Sequence, residues 1–425
     1  MIDIFVVPSS DLPLVDAQVV LGTGGALDPV DLPGLARHAT ELMTRGAAGR
    51  SRAEMDAAFD DIGASFGAYP DHDSVVFAVR CLSRHLPEAL DLFAQSLARA
   101  TFEPAEHEKL VRESLAALDE LQDDDSSLCT RFFNHLVLPD HAYGRSLLGT
   151  RESLGRLSRD ASHAWSRTHV TRSNLYVGFA GQVDDQHAQE LGATLVSGLP
   201  EGAPLDTRGP PEPRFAAQRR CYLVDKPDRT QSQILVGHPS PARAHADWLA
   251  LHVASTVFGG MFTSRLMTEV RVKRGWSYGA SSRLSRARGG RSFRLRVHPS
   301  AEQTADTLAL VFSLWEDIVA HGIRSDELDF AKNYIAGGWP FTTDTAEKRL
   351  DRLVDVRILN LPHDEYDTFL ARLADLSCAD VNQAIARWWR PQSAVTVLTA
   401  TASDMLPRLG PLDLGEVTVL PFDSY

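Results

Sequence analysis

The sequence predicts an α+β protein of two homologous domains, each a mainly antiparallel sheet covered by helices. Three observations lead there. Strand-type alternation and helical spacing of apolar residues both occur in each half of the chain. The elements come in the same order in the two halves, as after a duplication. Between them lies a stretch that no regular element tolerates, residues 199–213, with five prolines and two glycines. The expected division is a first domain over residues 1–198, a Pro/Gly-rich linker over 199–218 and a second domain over 219–425.

The chain opens on Ile2-Asp-Ile-Phe-Val-Val-Pro8, which reads as a strand. Ala17-Gln-Val-Val-Leu-Gly22 opens the repeated order in the first half and Ser232-Gln-Ile-Leu-Val-Gly237 in the second. A helix follows in each, near residues 32–45 and 244–257. Then comes an alternating strand, Ser74-Val-Val-Phe-Ala-Val-Arg-Cys81 and Ser292-Phe-Arg-Leu-Arg-Val-His298. An amphipathic helix is next, with Leu86, Leu90, Phe93 and Leu97 at helical spacing in one half and Leu308, Phe312 and Trp315 in the other. Acidic segments, Phe102-Glu-Pro-Ala-Glu106 and Ile323-Arg-Ser-Asp-Glu327, open a further helix. Closing strands are Asn174-Leu-Tyr-Val-Gly-Phe-Ala-Gly181 and Ala394-Val-Thr-Val-Leu-Thr-Ala400. Mixed strands and helix pairs of this kind place the helices on one side of each sheet.

Composition narrows the function. With 44% hydrophobic and 23% charged residues the chain is an ordinary globular one, and 425 residues suffice for two or three cores. A net charge of −13 without a basic run argues against nucleic acid or an anionic membrane as partner and allows basic or neutral peptides. Cys81, Cys129, Cys221 and Cys378 are scattered, as buried thiols are. No apolar run approaches the ~18 residues of a membrane span. The N-terminus has no basic leader, so the expected location is cytoplasmic, or periplasmic if a leader was removed.

Two stretches carry a resemblance. Asp140-His-Ala-Tyr-Gly-Arg-Ser-Leu-Leu-Gly-Thr-Arg-Glu-Ser-Leu154 and Val257-Phe-Gly-Gly-Met-Phe-Thr-Ser-Arg-Leu266 resemble first- and second-domain segments of the M16 (pitrilysin-like) zinc peptidases. The resemblance runs over nearly the whole chain. It implies two domains of the kind found in M16 and LuxS-type metallohydrolases, forming one half of a clam-like shell.

The zinc motif does not follow. Family peptidases carry His-x-x-Glu-His on a first-domain helix, two zinc ligands on one helical face with a water-activating Glu between them, and a distant Glu as third ligand. After Gly34-Leu-Ala36 this chain has Arg37 at the first ligand position, Thr40 at the catalytic Glu and Glu41 at the second ligand; the distant ligand falls near Ala117. A cationic Arg is hostile to a dication. A shifted site on His38 and Glu41, three residues apart, with a carboxylate from Glu113 or Glu120, stays open, but such a pair is ordinary on a helix. Asp123-Asp-Asp125 reads as a solvated turn, and no Gly-x-Ser-x-Gly context surrounds Ser264 or Ser277.

The second-domain signature is retained. Phe262, Leu266 and Val270 read as one apolar helical face, Lys273 and Arg274 suit the last turn, and Gly275 stops the helix. Arg271 then stands near the helix end and Tyr278 at the start of a strand. Their donors suit a peptide carbonyl or a developing oxyanion. The plainer alternative has Arg271 paired with Glu269 and Tyr278 in the core. By resemblance, Arg271 and Tyr278 bind substrate opposite a zinc site on another domain. That implies a non-catalytic subunit, holding no metal itself, whose heterodimer partner is a homologous chain bearing His-x-x-Glu-His and the zinc. Its ligand would be an unfolded peptide added to a sheet edge. A purely structural or peptide-binding homologue, and a self-sufficient hydrolase around His38 and Glu41, are the alternatives.

Overall fold

The structure, a computed structural model, describes residues 2–204, 206 and 208–424. Leu205 and Thr207, inside the expected linker, lie outside the described residues, as do Met1 and Tyr425. The chain forms two compact units. One comprises Met1–Leu118, Arg145–Arg208 and Trp339–His363; the other Asp119–Gly144, Gly209–Gly338 and Asp364–Tyr425. Each unit draws on both halves of the chain.

The first unit holds a five-stranded sheet in the order Asp3–Pro8, Leu175–Gly181, Leu14–Leu21, Val75–Leu82, Ser65–Pro70. Only the first of these pairings is parallel. Val75, Phe77, Val79 and Cys81 alternate into the core, the period-2 signature of a strand with one buried face. The second unit holds six strands: Ser277–Leu284, Arg291–Pro299, Gln233–Ser240, Val395–Ala400, Arg220–Asp225 and Val417–Pro421. Taken from the hairpin edge, its first five strands repeat the spatial and sequential order of the first sheet. The expected duplication is therefore present as a repeat of topology. Ser65–Pro70, the outer strand of the first hairpin, escaped sequence reading because Gly67 and Pro70 interrupt a short edge strand.

One expectation is corrected. Helices cover both faces of each sheet, not one. In the first unit, Gly192 of the helix Asp185–Leu195 approaches Phe179 from one side. Leu350 of the helix Ala346–Ile358 sits on the neighbouring Gly178 from the other. In the second unit Trp315, from Thr304–His321, stacks on His238 with ring centroids 5.2 Å apart, while Phe133 of Asp125–Val137 covers Gly237. Each covering helix on the second face comes from the other half of the chain. A Cβ on Gly178 would lie 2.8 Å from Leu350 Cδ1, so Leu350 would have to shift to admit it; one on Gly237 would meet the Phe293 carbonyl oxygen at 2.1 Å and Phe133 Cζ at 2.9 Å, so that strand needs glycine there.

Candidate functional site

The helix Leu35–Met43 carries the positions expected for a zinc motif. It starts at Gly34, whose φ of 94° is left-handed. The N–H groups of Gly34 and Ala36 both donate to the buried Asp28 carboxylate at 2.9 Å, which fixes the helix start. Burial draws the Asp28 carboxyl up to about 6, against those two hydrogen bonds.

Arg37 is engaged at both ends of its guanidinium. Nη2 lies 2.8 Å from Glu41 Oε1, one turn on, and Nη1 donates to Ser114 Oγ at 3.2 Å. Thr40 is buried, and its hydroxyl returns to the carbonyls of Ala36 and Arg37 at 2.8 and 3.0 Å. Burial raises the Glu41 carboxyl, with Arg37 and Arg45 opposing. A guanidinium where the ligands should converge, with a hydroxyl and an ion-paired carboxylate beside it, does not fit a zinc ion.

The shifted site on His38 and Glu41 does not form either. His38 is buried with Nε2 2.9 Å from His107 Nδ1, and the rings meet edge to face. Burial first, then His107, Arg37 and Arg45, draw His38 down to about 3, so the pair is neutral at physiological pH. Glu113 is engaged by Arg45 at 2.6 Å, which lowers its carboxyl. Among the described residues no group of three or more His, Cys, Asp and Glu is placed to hold a metal. The helix Pro104–Asp123 presents Ser114 to Arg37, three residues before the Ala117 expected from an ungapped count. In Asp123-Asp-Asp125, Asp123 and Asp124 are exposed at the break between two helices, where Asp124 caps the one that follows, while Asp125 pairs with Lys226 at 2.6 Å and Arg229 at 3.4 Å.

The second unit carries Arg271 and Tyr278. The chain from Thr256 to Gly260 and from Met267 to Val272 forms widened π-type helical turns, which cluster at functional sites. Gly259 lets the first of them lie against the strand Ser277–Leu284, since a Cβ would come within 2.3 Å of Ser282 N. The expected apolar face is broken because the helix begins only at Arg265: Leu266 and Val270 are buried, but Phe262 lies in the turn before it and is 63% exposed.

Phe262 is instead one wall for Arg271. The Arg271 guanidinium carbon lies 4.6 Å from the Phe262 ring centroid and 4.6 Å from that of Tyr278. Glu269 is engaged by Lys273 at 2.5 Å and Arg274 at 2.6 Å, which lower its carboxyl. The alternative pairing of Arg271 with Glu269 is thus absent, and Tyr278, 81% exposed, is not core. Gly275, at φ 66°, ends the turn as expected. Beside Phe262 opens a cleft of about 370 Å³ lined by Gly260, Met261, Met267, Gly279 and His298 among others. The guanidinium thus lies over two rings, with its N–H groups and the phenol O–H making no side-chain hydrogen bond among the described residues and suited to a ligand.

Comparison with known proteins follows the same lines. The family described as "Insulinase (Peptidase family M16)" matches residues 6–151, and that described as "Peptidase M16 inactive domain" matches residues 156–335. An uncharacterized zinc protease of Streptomyces coelicolor is 27% identical over 364 residues, 84% of this chain and 78% of its own length. One from Mycobacterium tuberculosis is 26% identical over 387 residues, 88% and 86% of the two chains. A crystal structure of a peptidase M16 inactive domain from Pseudomonas fluorescens superposes with a TM-score of 0.87 at 22% identity, covering 93% of this chain and 94% of that one. The first half of the periplasmic protease PqqL from Escherichia coli gives 0.79 at 16% identity, covering 96% and 92%.

Proposed function

This chain belongs to the M16 peptidase family, and from that premise we propose that it is the non-catalytic subunit of a two-chain peptidase. A homologous partner with an intact His-x-x-Glu-His would carry the zinc and the hydrolysis. This chain would hold the unfolded peptide. The observation that carries the reading is the contrast between its two motif regions. Arg37, Thr40 and Glu41 are closed on one another and on Ser114, whereas the half-buried Arg271 and the exposed Tyr278 stand side by side with donors unused among the described residues.

A side chain kept solely for stability has little reason to stand in this way. Contact with the two rings limits the rotamers of Arg271 without consuming its hydrogen bonds, so less entropy is lost when a peptide carbonyl arrives. Tyr278 adds a neutral donor at short range. Together they suit a substrate carbonyl, and more so one gaining negative charge.

The test is zinc content and peptidase activity of the purified chain, alone and mixed with a homologous His-x-x-Glu-His chain from the same genome. The expected result is no zinc and no activity alone, and activity in the mixture above that of the partner by itself. One zinc per chain with activity alone overturns the reading. Unchanged partner activity in a formed complex leaves the purely structural role instead.

A further inference from the structure

We propose that the face of the second unit's sheet bearing Arg283 and Arg294 selects acidic side chains of the bound peptide, so that the substrate is an acidic peptide. The inference rests on the peptide-binding reading above and adds the substrate's chemistry to it.

The register of the hairpin sets the geometry. Arg283 is the direct cross-strand partner of Arg294, and Ser281 that of Arg296. Phe293, Leu295 and Val297 are buried on one face, so Arg294, Arg296 and His298 share the opposite one, which the helix Asp125–Val137 covers over Gly237 and leaves open along the hairpin edge, where Ser281 and Arg283 are exposed. On the neighbouring strand Ala280, Ser282 and Leu284 are buried, which leaves Ser281 and Arg283 on the arginine side. Like charges directly opposite one another weaken a sheet, so stability does not explain Arg283 facing Arg294.

Nor does neutralisation within the unit. Neither Arg283 nor Arg294 makes an ion pair or hydrogen bond among the described residues. Arg296 donates to Ser126 Oγ; Asp124, the acidic group near it, is occupied in capping Ser127. Arg294 is half-buried, and burial together with Arg283, Arg291 and Arg296 pulls its pKa below the usual arginine range. In a chain of net charge −13 this is a local concentration of positive charge that lacks its complement.

The patch is continuous with the cleft. Ser281, Arg296 and His298 line the cleft beside Phe262, and Phe262 walls Arg271. A peptide held at Arg271 and Tyr278 that crosses the cleft in extended form reaches the arginine pair. Side chains on one face of an extended peptide recur every ~6.6–6.8 Å, the spacing of alternate residues along the strand itself. Carboxylates at alternate positions therefore match the row, and guanidinium–carboxylate pairing supplies the selectivity.

The experiment measures binding of two fluorescent peptides of equal length to the full chain, one with alternating Glu and one with Gln in their place, by anisotropy at fixed salt. The wild type is expected to bind the Glu peptide about tenfold more tightly, as two partly exposed ion pairs would give. Arg283→Gln with Arg294→Gln is expected to abolish that ratio while leaving the Gln peptide's affinity unchanged, which also shows that the variant is folded. Arg271→Ala is expected to weaken both peptides alike. Equal binding of the two peptides by the wild type, or a ratio that survives in the double variant, overturns the inference and leaves the peptide-binding reading intact. Failure of the wild type to bind either peptide overturns both. Tighter binding of single-stranded RNA than of the Glu peptide, lost in the double variant, assigns the patch to nucleic acid and overturns the inference.

Discussion

Gly178→Ala tests the helix exchange on which each unit's second face depends. The new Cβ would lie 2.8, 3.0 and 3.2 Å from Leu350 Cδ1, Cδ2 and Cγ. Carbon pairs rest near 3.5–4.0 Å, so Leu350 must yield by half an ångström or more, on the order of its methyl contact gap. It has little room, being fully buried beneath its own helix. Overpacking of this kind costs about 1–3 kcal/mol. Leu350→Ala alone removes a fully buried side chain and costs about 2–5 kcal/mol. In the double variant the added methyl enters vacated space, so the alanine at 178 becomes neutral or favourable. The coupling energy is then about 1–3 kcal/mol of opposite sign to the single penalties. Urea unfolding of the four proteins, followed by circular dichroism, measures it. An unchanged Gly178→Ala penalty in the Leu350→Ala background would refute the seating of this helix on the sheet.

Three further outcomes are expected. Rebuilding the zinc motif with Arg37→His, Thr40→Glu and Glu41→His should yield one zinc per chain only with Ser114→Glu, and not with Ala117→Glu, as read by metal analysis after dialysis; the reverse would misplace the helix Pro104–Asp123. His238 is buried, with Nε2 accepting from Arg390 N–H and Nδ1 donating to the Pro239 carbonyl, and burial draws it down to about 4. Its folded pKa lies below its unfolded value of about 6.5, so its contribution is complete above pH 6.5 and is lost as pH falls towards 4. The loss between pH 7 and 5 is about 2 kcal/mol, and His238→Gln should remove that share of the acid destabilisation in denaturant titrations at the two pH values. Asp28, raised by burial, acts in the opposite direction in both proteins and cancels in the comparison. Finally, Phe262→Ala removes one of the two rings holding Arg271; at about 0.5–1 kcal/mol for such a contact, peptide affinity should fall roughly two- to fivefold, less than for Arg271→Ala. An equal loss in both would mean that Phe262 contacts the peptide itself.

The strands facing the core were legible because alternation writes burial directly into sequence: Val75, Phe77 and Val79, or Phe293, Leu295 and Val297, admit one reading. The exchanged helices were not. The sequence of Ala346–Ile358 shows an apolar stripe but not which sheet receives it, and Gly178 or Gly237 within a strand is equally consistent with a bulge. At the site, the spacing of Arg271 and Tyr278 was visible, yet an α-periodic reading put Phe262 in the core. The helix in fact restarts only at Arg265, after an extended Met261 and a turn that carries Phe262 outward, and the apolar spacing does not announce that break. Ser114 was missed by about one helical turn because an ungapped count assumes loops of fixed length. The arginine pair Arg283 and Arg294 needed the hairpin register, which a bulge between Ser277 and Ala280 displaces.

The central claim, that Arg271 and Tyr278 complete a site whose zinc lies on a partner, is tested most directly by turnover of the reconstituted pair with Arg271→Ala and Tyr278→Phe in this chain. Lower turnover in each, on the order of 10²-fold for a lost oxyanion-type donor, with complex formation and zinc content of the mixture unchanged, is the predicted result. Turnover equal to wild type in both variants would contradict it.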